Sequence, residues 1–277
     1  MRTTSAALAA ALARPLGSLA RLWRVERRDG VVIGLTDHDH DLQVEGTLYR
    51  ARAGMAPGAV DARIGLGVDG LDVGGPLDDG AVSATDIACG RFDDARVDFA
   101  IADWTEPEAG RLLLAAGRIG EISMTASRWR AELRGVSQRL QQGIGIAYGP
   151  DCAADFADLR CGVVLAGTGF EVEGVIAAAT ATAIADPART EPAGWFDGGR
   201  LTILGGALGG LVVDVATSTP GGIVLARPLP TAPLAGCDYR LRVGCDKRIT
   251  TCAARFNNTV NFRGFPFTPD PGALETT

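Results

Sequence analysis

Apolar and polar residues alternate with period two along several stretches of this chain, the pattern of half-buried antiparallel strands. Val97, Phe99 and Ile101 alternate with Arg96, Asp98 and Ala100, and Trp129, Ala131 and Leu133 alternate with Arg128, Arg130, Glu132 and Arg134. A further strand is expected over 119–125. Strand-like runs at 22–26 and 31–35 flank Arg27-Arg28-Asp29-Gly30, and Asp-Gly between two such runs is a strong hairpin signal. Ahead of them, the alanine-rich run at 6–13 predicts a short amphipathic helix, broken by Pro15 and Gly17. Short helices are also expected at 106–116 and at 137–142, the second capped by Ser137.

Past Gly149-Pro150 the texture changes. Short strands are expected at 170–176, 200–204, 211–215 and 223–226, each bounded by Gly or Pro. That spacing suggests a compact barrel or sandwich rather than a βαβ sheet. The fold class expected is therefore mainly β, with antiparallel sheets or barrels in two domains, 1–145 and 146–277, and a short N-terminal helix.

Composition narrows the function. With 277 residues the chain has room for two modest cores. Its 37 glycines and 6% aromatics describe a turn-rich globular protein. The net charge of −6, without a basic block, argues against gripping a phosphate backbone over a long footprint. No run reaches the 18 or more apolar residues of a membrane helix, so no stable membrane association is expected. The 6–13 run, thin in leucine and followed by Arg14, Arg21 and Arg24, is a poor secretory signal. In a reducing cytoplasm, six cysteines are more naturally metal ligands or buried thiols than disulfides.

Five of the six lie in the second half: Cys152, Cys161, Cys237, Cys245 and Cys252. Two pairs on two turns would converge four thiolates, a donor set suited to zinc or an iron–sulfur cluster. The Cys-x2-Cys knuckle of structural zinc is absent, and the longer spacings leave room for more than one ion, which favours iron–sulfur. Buried thiol is the competing reading of each cysteine. It suits the isolated Cys89, and also Cys237, which shares strand parity with Tyr239, Leu241 and Val243.

Other candidates carry less. The run Thr36-Asp37-His38-Asp39-His40-Asp41 breaks the EF-hand pattern at Leu42 and Leu48. It reads as a solvated or interfacial strand end, with the aspartates on one face and the histidines on the other. Gly205-Gly206-Ala207-Leu208-Gly209-Gly210 lacks the Gly-Lys-Ser/Thr ending of a phosphate loop and reads as a tight turn. There is no Gly-x-Ser-x-Gly elbow and no recognisable nucleophile–base set, so no catalytic residue is expected and the chain is read as a non-enzyme.

Several stretches carry a resemblance when read together: Trp23-Arg24-Val25-Glu26-Arg27-Arg28-Asp29-Gly30 with Gly34-Leu35-Thr36-Asp37-His38-Asp39, Gly117-Arg118-Ile119-Gly120-Glu121-Ile122, Ala131-Glu132-Leu133-Arg134-Gly135, Gly244-Cys245-Asp246-Lys247 through Cys252, Arg255-Phe256-Asn257-Asn258, and Asn261-Phe262-Arg263-Gly264-Phe265-Pro266. The chain resembles the tail hub (baseplate hub) proteins of long-tailed phages and gene transfer agents over about residues 21–269. Its end is also similar to the C-terminal iron–sulfur region of the tail tip protein L of phage lambda.

The resemblance implies a hub in the tail baseplate of a phage-like particle, assembled in the bacterial cytoplasm. Such a hub joins tail tube to receptor-binding fibre and forms part of a DNA ejection channel. It implies a homo-oligomer, a trimer, in contact with the distal tail protein, the tail fibre and a cell-wall peptidase, with DNA only in transit. It also implies an iron–sulfur cluster, [4Fe-4S], on Cys152, Cys161, Cys245 and Cys252, although spacing alone leaves an exchange of Cys237 for Cys245 open. A cluster there would staple the base of a β insert at about 167–236. Phe262, Phe265 and Phe267 are read either as an exposed contact for a neighbouring tail protein or, the favoured reading, as an apolar lid over it. A redox protein using the cluster for electron transfer, or a zinc-binding interaction module, are the alternative functions.

Overall fold

The structure is a computed structural model that describes residues 4–14, 17–51, 56–57, 70–77, 82–135, 145 and 148–268. The helix expected at 137–142 lies outside these residues. The chain divides into two compact units, 1–143 and 144–277.

The first unit opens with α1 (Ala6–Leu12), where Ser5 Oγ caps the helix by accepting the Leu8 N–H at 3.2 Å and Leu8 and Ala11 are buried. The expected hairpin follows as β1 (Leu19–Glu26) and β2 (Val32–Thr36). Its turn is closed by the Arg27 N–H donating to the Val31 carbonyl at 2.9 Å, and Gly30 sits at φ 83°, where a side chain would be strained. Then come β3 (Leu42–Val44), β4 (Thr47–Ala51), β5 (Ala56–Pro57), β6 (Gly70–Pro76), α2 (Ala84–Ala88), β7 (Arg96–Asp103), β8 (Arg111–Met124) and β9 (Arg128–Arg134). The strands form one nine-stranded sheet in the order β3-β4-β2-β1-β7-β8-β9-β6-β5.

Alternation in β1 and β7 feeds two apolar clusters, one on each face. Trp23, Val25, Val97 and Phe99 join Leu35, Phe92, Ile119, Trp129 and Leu133 in the larger. Ala20, Leu22, Ala100 and Ala102 join Leu42, Val44 and Tyr49 in the smaller. The central strands are therefore covered on both sides rather than half-buried. The pairings are antiparallel except for β2 with β4, which run parallel from Gly34↔Tyr49 to Thr36↔Ala51. Glycine is required at 34, because a Cβ there would overlap the Leu48 carbonyl oxygen.

The expected helix at 106–116 is not formed. A single 3-10 turn at Pro107–Ala109 ends at Gly110, at φ 87°, and the chain then enters β8. Leu112, Leu113, Ala115 and Ala116 are good helix formers, but β7 offers them a ladder, with Ile101↔Leu112 and Phe99↔Ala115 in register. Tertiary pairing outweighs propensity there.

In the second unit the strands are β10 (Glu171–Val175), β11 (Ala178–Ala179), β12 (Ala183–Ala185), β13 (Arg200–Ile203), β14 (Val212–Thr219), β15 (Gly222–Leu225) and β16 (Asp238–Arg242). Their order is β10-β16-β13-β14-β15-β12-β11. The two ends, β10 and β11, are halves of one kinked segment. Through the kink, Ile176 exchanges hydrogen bonds with Gly236 and Cys237 on one side, and the Ala177 N–H donates to Ala185 on the other. The sheet thus closes into a small barrel with no free edge at that seam. Ile176, Ile184, Leu201, Ile203, Val213, Ile223, Tyr239 and Leu241 fill it. The run 205–210 is the turn joining β13 to β14, with Gly206 and Gly210 at φ 69° and 88°.

The fold class is therefore mainly β, with antiparallel sheets and few helices, as the alternation indicates. Among the described residues no helix is long and apolar enough to cross a membrane.

Candidate metal centre

The segments flanking the barrel, 148–169 and 244–268, meet at its base. Val243 donates its N–H to the Phe170 carbonyl at 2.9 Å where the chain enters and leaves the barrel, and the Cys152 N–H donates to the Lys247 carbonyl at 2.9 Å. Further out, Ala153 donates to Arg263 at 3.2 Å and Phe265 to Gly149 at 2.8 Å. These contacts bring Cys152, Cys161, Cys245 and Cys252 onto the wall of one pocket, with about 330 Å³ of free space including its mouth. Phe156, Phe256 and Phe262 supply apolar walls, and Lys247 and Arg248 are its charged lining residues.

Local devices place Cys161, Cys252 and Cys152. Asp158 folds the turn before Cys161: its carboxylate accepts the Cys161 N–H at 2.6 Å and the Arg160 N–H at 2.9 Å. The Cys161 hydrogen bond, with those from Asp155 and Arg160, holds the Asp158 carboxyl below its ordinary pKa although burial opposes it. Asn258 locks the turn from across the pocket, donating to the Cys161 carbonyl at 2.6 Å and facing its Sγ at 3.8 Å. Asn261 supports it with a bond to Asn258 Oδ1 at 2.7 Å.

Cys252 lies on α3 (Ile249–Phe256), whose start is organised by Asp246. That carboxylate accepts the Arg248 N–H at 3.0 Å and the Thr251 hydroxyl at 2.7 Å. Asn257, left-handed at φ 46°, ends the helix. The Arg263 N–H points at Cys152 Sγ at 3.4 Å.

Burial raises the Cys252 thiol pKa, and the facing Cys245, Cys152 and Cys161 raise it further. Cys245 is likewise raised, chiefly by burial, with Lys247 opposing. These mutual influences place all four sulfurs in one electrostatic neighbourhood. Among the described residues, however, no group of three or more His, Cys, Asp or Glu side chains is gathered closely enough to hold a metal ion. All six cysteines are free.

Cys237 is elsewhere, at the far end of β16 beside Gly206, where a Cβ would approach its Sγ to 3.2 Å. Cys89 caps α2 in the first unit. The expected aromatic lid is only partly formed: Phe262 lines the pocket, whereas Phe265 packs on Tyr148 with centroids 4.6 Å apart and Phe267 is 93% exposed. Chain direction explains the difference, since Phe265 pairs with Gly149, at the outer margin of the base.

The His38 and His40 run forms a bend rather than a strand, so the two-face arrangement expected there does not arise. Two of its three aspartates serve the backbone: Asp37 accepts the Arg21 N–H at 2.8 Å and Asp41 the Ala51 N–H at 2.7 Å. Asp158 and Asn258 were not legible as positioning residues, the first because its turn is irregular, the second because its partner lies 97 residues away.

Comparison with known proteins gives two family matches, the first of which extends past the boundary between the units. Residues 5–164 match the family model described as baseplate hub protein, N-terminal attachment domain. Residues 194–271 match that of a phage conserved hypothetical protein, BR0599. A chain in a solved structure titled "Virion of native gene transfer agent (GTA) particle" is similar at 36% identity and a TM-score of 0.86, over 98% of this chain and 95% of that one. No curated protein matches.

Proposed function

The chain belongs to the baseplate hub protein family, and from that premise we propose that it is a non-enzymatic hub joining tail tube to receptor-binding fibre, its second unit pinned at the base by an iron–sulfur cluster. It is a structural component of the tail of a phage-like particle. The hub reading extends this to a homotrimer around the tail axis, in contact with the distal tail protein, the fibre protein and a cell-wall peptidase, and lining part of the DNA ejection channel. The acidic net charge suits a conduit, because a lumen that held phosphate tightly would arrest passage.

One observation carries the cluster: the base of the second unit has four converging thiols and almost no core. Between 148 and 169 and between 244 and 268, the buried hydrophobic residues are Ala154 and Cys252. Hydrogen-bonded turns and the Phe156–Phe256 ring contact at 4.8 Å bury too little to hold two chain segments firmly, whereas a thiolate-bound metal group does so directly.

The donor set fits the group: four thiols, no carboxylate or imidazole on the wall, and cationic Lys247 and Arg248 against an anionic complex. Along the chain the cysteines lack the Cys-x2-Cys knuckle of structural zinc, and those longer sequence spacings favour a multinuclear core. When bound, such a core supplies four iron–sulfur linkages that cross-link the two segments. The chain's own part is to aim the sulfurs through Asp158, Asn258 and α3, to donate N–H groups toward them, and to keep water out with Phe156, Phe256 and Phe262.

The hub assignment is tested by the mass of the assembled tail tip. Three copies arranged as a ring are expected, ring closure requiring heterologous interfaces; a strict monomer would refute it.

A further inference from the structure

Beside the thiol pocket lies a cation that nothing else in the second unit accounts for. Arg255 stands one turn after Cys252 on α3, and its guanidinium is folded back into the base. Nη2 donates to the Trp195 carbonyl and Nη1 to the Gly244 carbonyl at 3.5 Å, the residue just before Cys245. The group lies over the Trp195 ring at 4.7 Å and the Phe256 ring at 5.5 Å. Nε is shut off from solvent and donates to nothing.

Among the described residues no carboxylate comes within ion-pair distance of it, in contrast to Arg240 and Arg242, which pair with Glu173 and Glu171 at 2.8 Å. Burial presses its pKa downward, and the strongest opposing influence is Cys245, ahead of Asp197 and Asp246.

A half-buried guanidinium held by two carbonyls and two ring faces is poorly compensated, and an unpaired charge out of water is costly. The negative form that favours its charge most is that of Cys245, on the wall of the thiol pocket and one residue beyond the Gly244 carbonyl that holds Nη1. Lys247 is different: its ammonium bonds the Ala154 carbonyl and has Asp155 at 4.0 Å. Arg248 is exposed to solvent and screened by it.

We infer that Arg255 is the fixed counter-charge of the thiolate-bound centre, a positioned cation that raises the centre's reduction potential, an inference that rests on the iron–sulfur reading above. Reduction adds one electron and makes the centre one unit more negative. A fixed positive charge at short range stabilises that state, and net local charge and enclosure are among the levers that set cluster potentials. Because the guanidinium is clamped to Trp195 and Gly244, its charge does not move away in response.

The test is a potentiometric titration of the anaerobically purified full chain, with iron content measured on the same samples, for wild type, Arg255→Gln, Arg255→Lys and the surface control Arg200→Gln. Arg255→Gln is expected to keep its iron and shift the midpoint to lower potential, Arg255→Lys to stay near wild type, and Arg200→Gln to leave it unmoved. Full iron in Arg255→Gln with an unmoved midpoint overturns the role of Arg255 alone. If Arg255→Gln does not fold, Arg255→Lys decides: a midpoint near wild type supports the charge, and a large downward shift with full iron overturns it. A wild-type chain without iron overturns the cluster reading itself, and the role of Arg255 with it.

Discussion

The two units are both built from β-strands, yet they hold themselves together by different means. In the first, aromatic and aliphatic side chains from β1, β7, β8 and β9 bury one face of a broad sheet and those from β1, β3, β4 and β7 the other, and Trp23, Leu22 and Tyr49 are almost wholly enclosed. In the second, the barrel has a comparable apolar filling on a smaller scale, but its base does not. There several large apolar residues face outward, Leu159 and Val260 being 104% and 90% exposed, while Phe156, Phe256 and Phe262 line the pocket. Hydrophobic burial suffices for the sheet and the barrel, whereas in the proposed reading the base depends on chemistry at four sulfurs.

The strongest way to break this comparison is to remove one sulfur. Cys152→Ser, Cys161→Ser, Cys245→Ser and Cys252→Ser are each expected to lose the bound iron and most solubility, because three thiolates leave an open and labile position. Cys89→Ser and Cys237→Ser should retain it. Full iron in two or more of the four variants would remove the ligand assignment.

The corresponding blow to the first unit is a cavity. Trp23→Ala is expected to cost about 3–5 kcal/mol and to speed amide exchange in β1 and β7, while iron content stays as in wild type. Loss of iron in that variant would show that the base is not independent of the sheet's core.

A smaller effect is expected inside the barrel. The Tyr239 hydroxyl donates to Asp186 Oδ2 at 2.6 Å in a buried setting, and Tyr239→Phe should cost about 1–3 kcal/mol in urea unfolding without loss of iron. Burial first, then Asp186, push the Tyr239 hydroxyl above its ordinary pKa. The folded state therefore holds that proton more tightly than the unfolded chain, and this contribution is complete below about pH 10 and declines above it. The variant should be less sensitive than wild type to alkaline unfolding, and equal sensitivity would count against the pairing.

The smallest expected effect distinguishes the wall of the pocket from its margin. Phe262→Ala should let the centre bleach faster in air, while Phe265→Ala, on Tyr148, should leave bleaching unchanged. The reverse ranking would move the shield to the outer turn.

What could be read from the chain itself follows the range of the forces involved. The β1–β2 hairpin and the alternating strands β7 and β9 are legible because turn chemistry and period-two patterning act over a few residues. The stretch 111–124 misleads because its leucines and alanines suit a helix when alone and a strand once β7 is beside them. The parallel pairing of β2 with β4 has no local signature beyond Gly34. At the base, the four cysteines stand out by residue type, but spacing could not separate Cys237 from Cys245; barrel geometry sends Cys237 to the other end of β16. Arg255 and Asn258 act through contacts to Trp195 and Cys161, 60 and 97 residues distant, and only folding makes those roles visible.

The most direct measurement is iron and acid-labile sulfide in the anaerobically purified wild-type chain, beside Cys252→Ser and Cys237→Ser. The expected result is about four iron and about four sulfide per chain in wild type and Cys237→Ser, and neither in Cys252→Ser. A soluble, folded wild-type chain that holds zinc alone, or no metal, would contradict a base pinned by an iron–sulfur cluster.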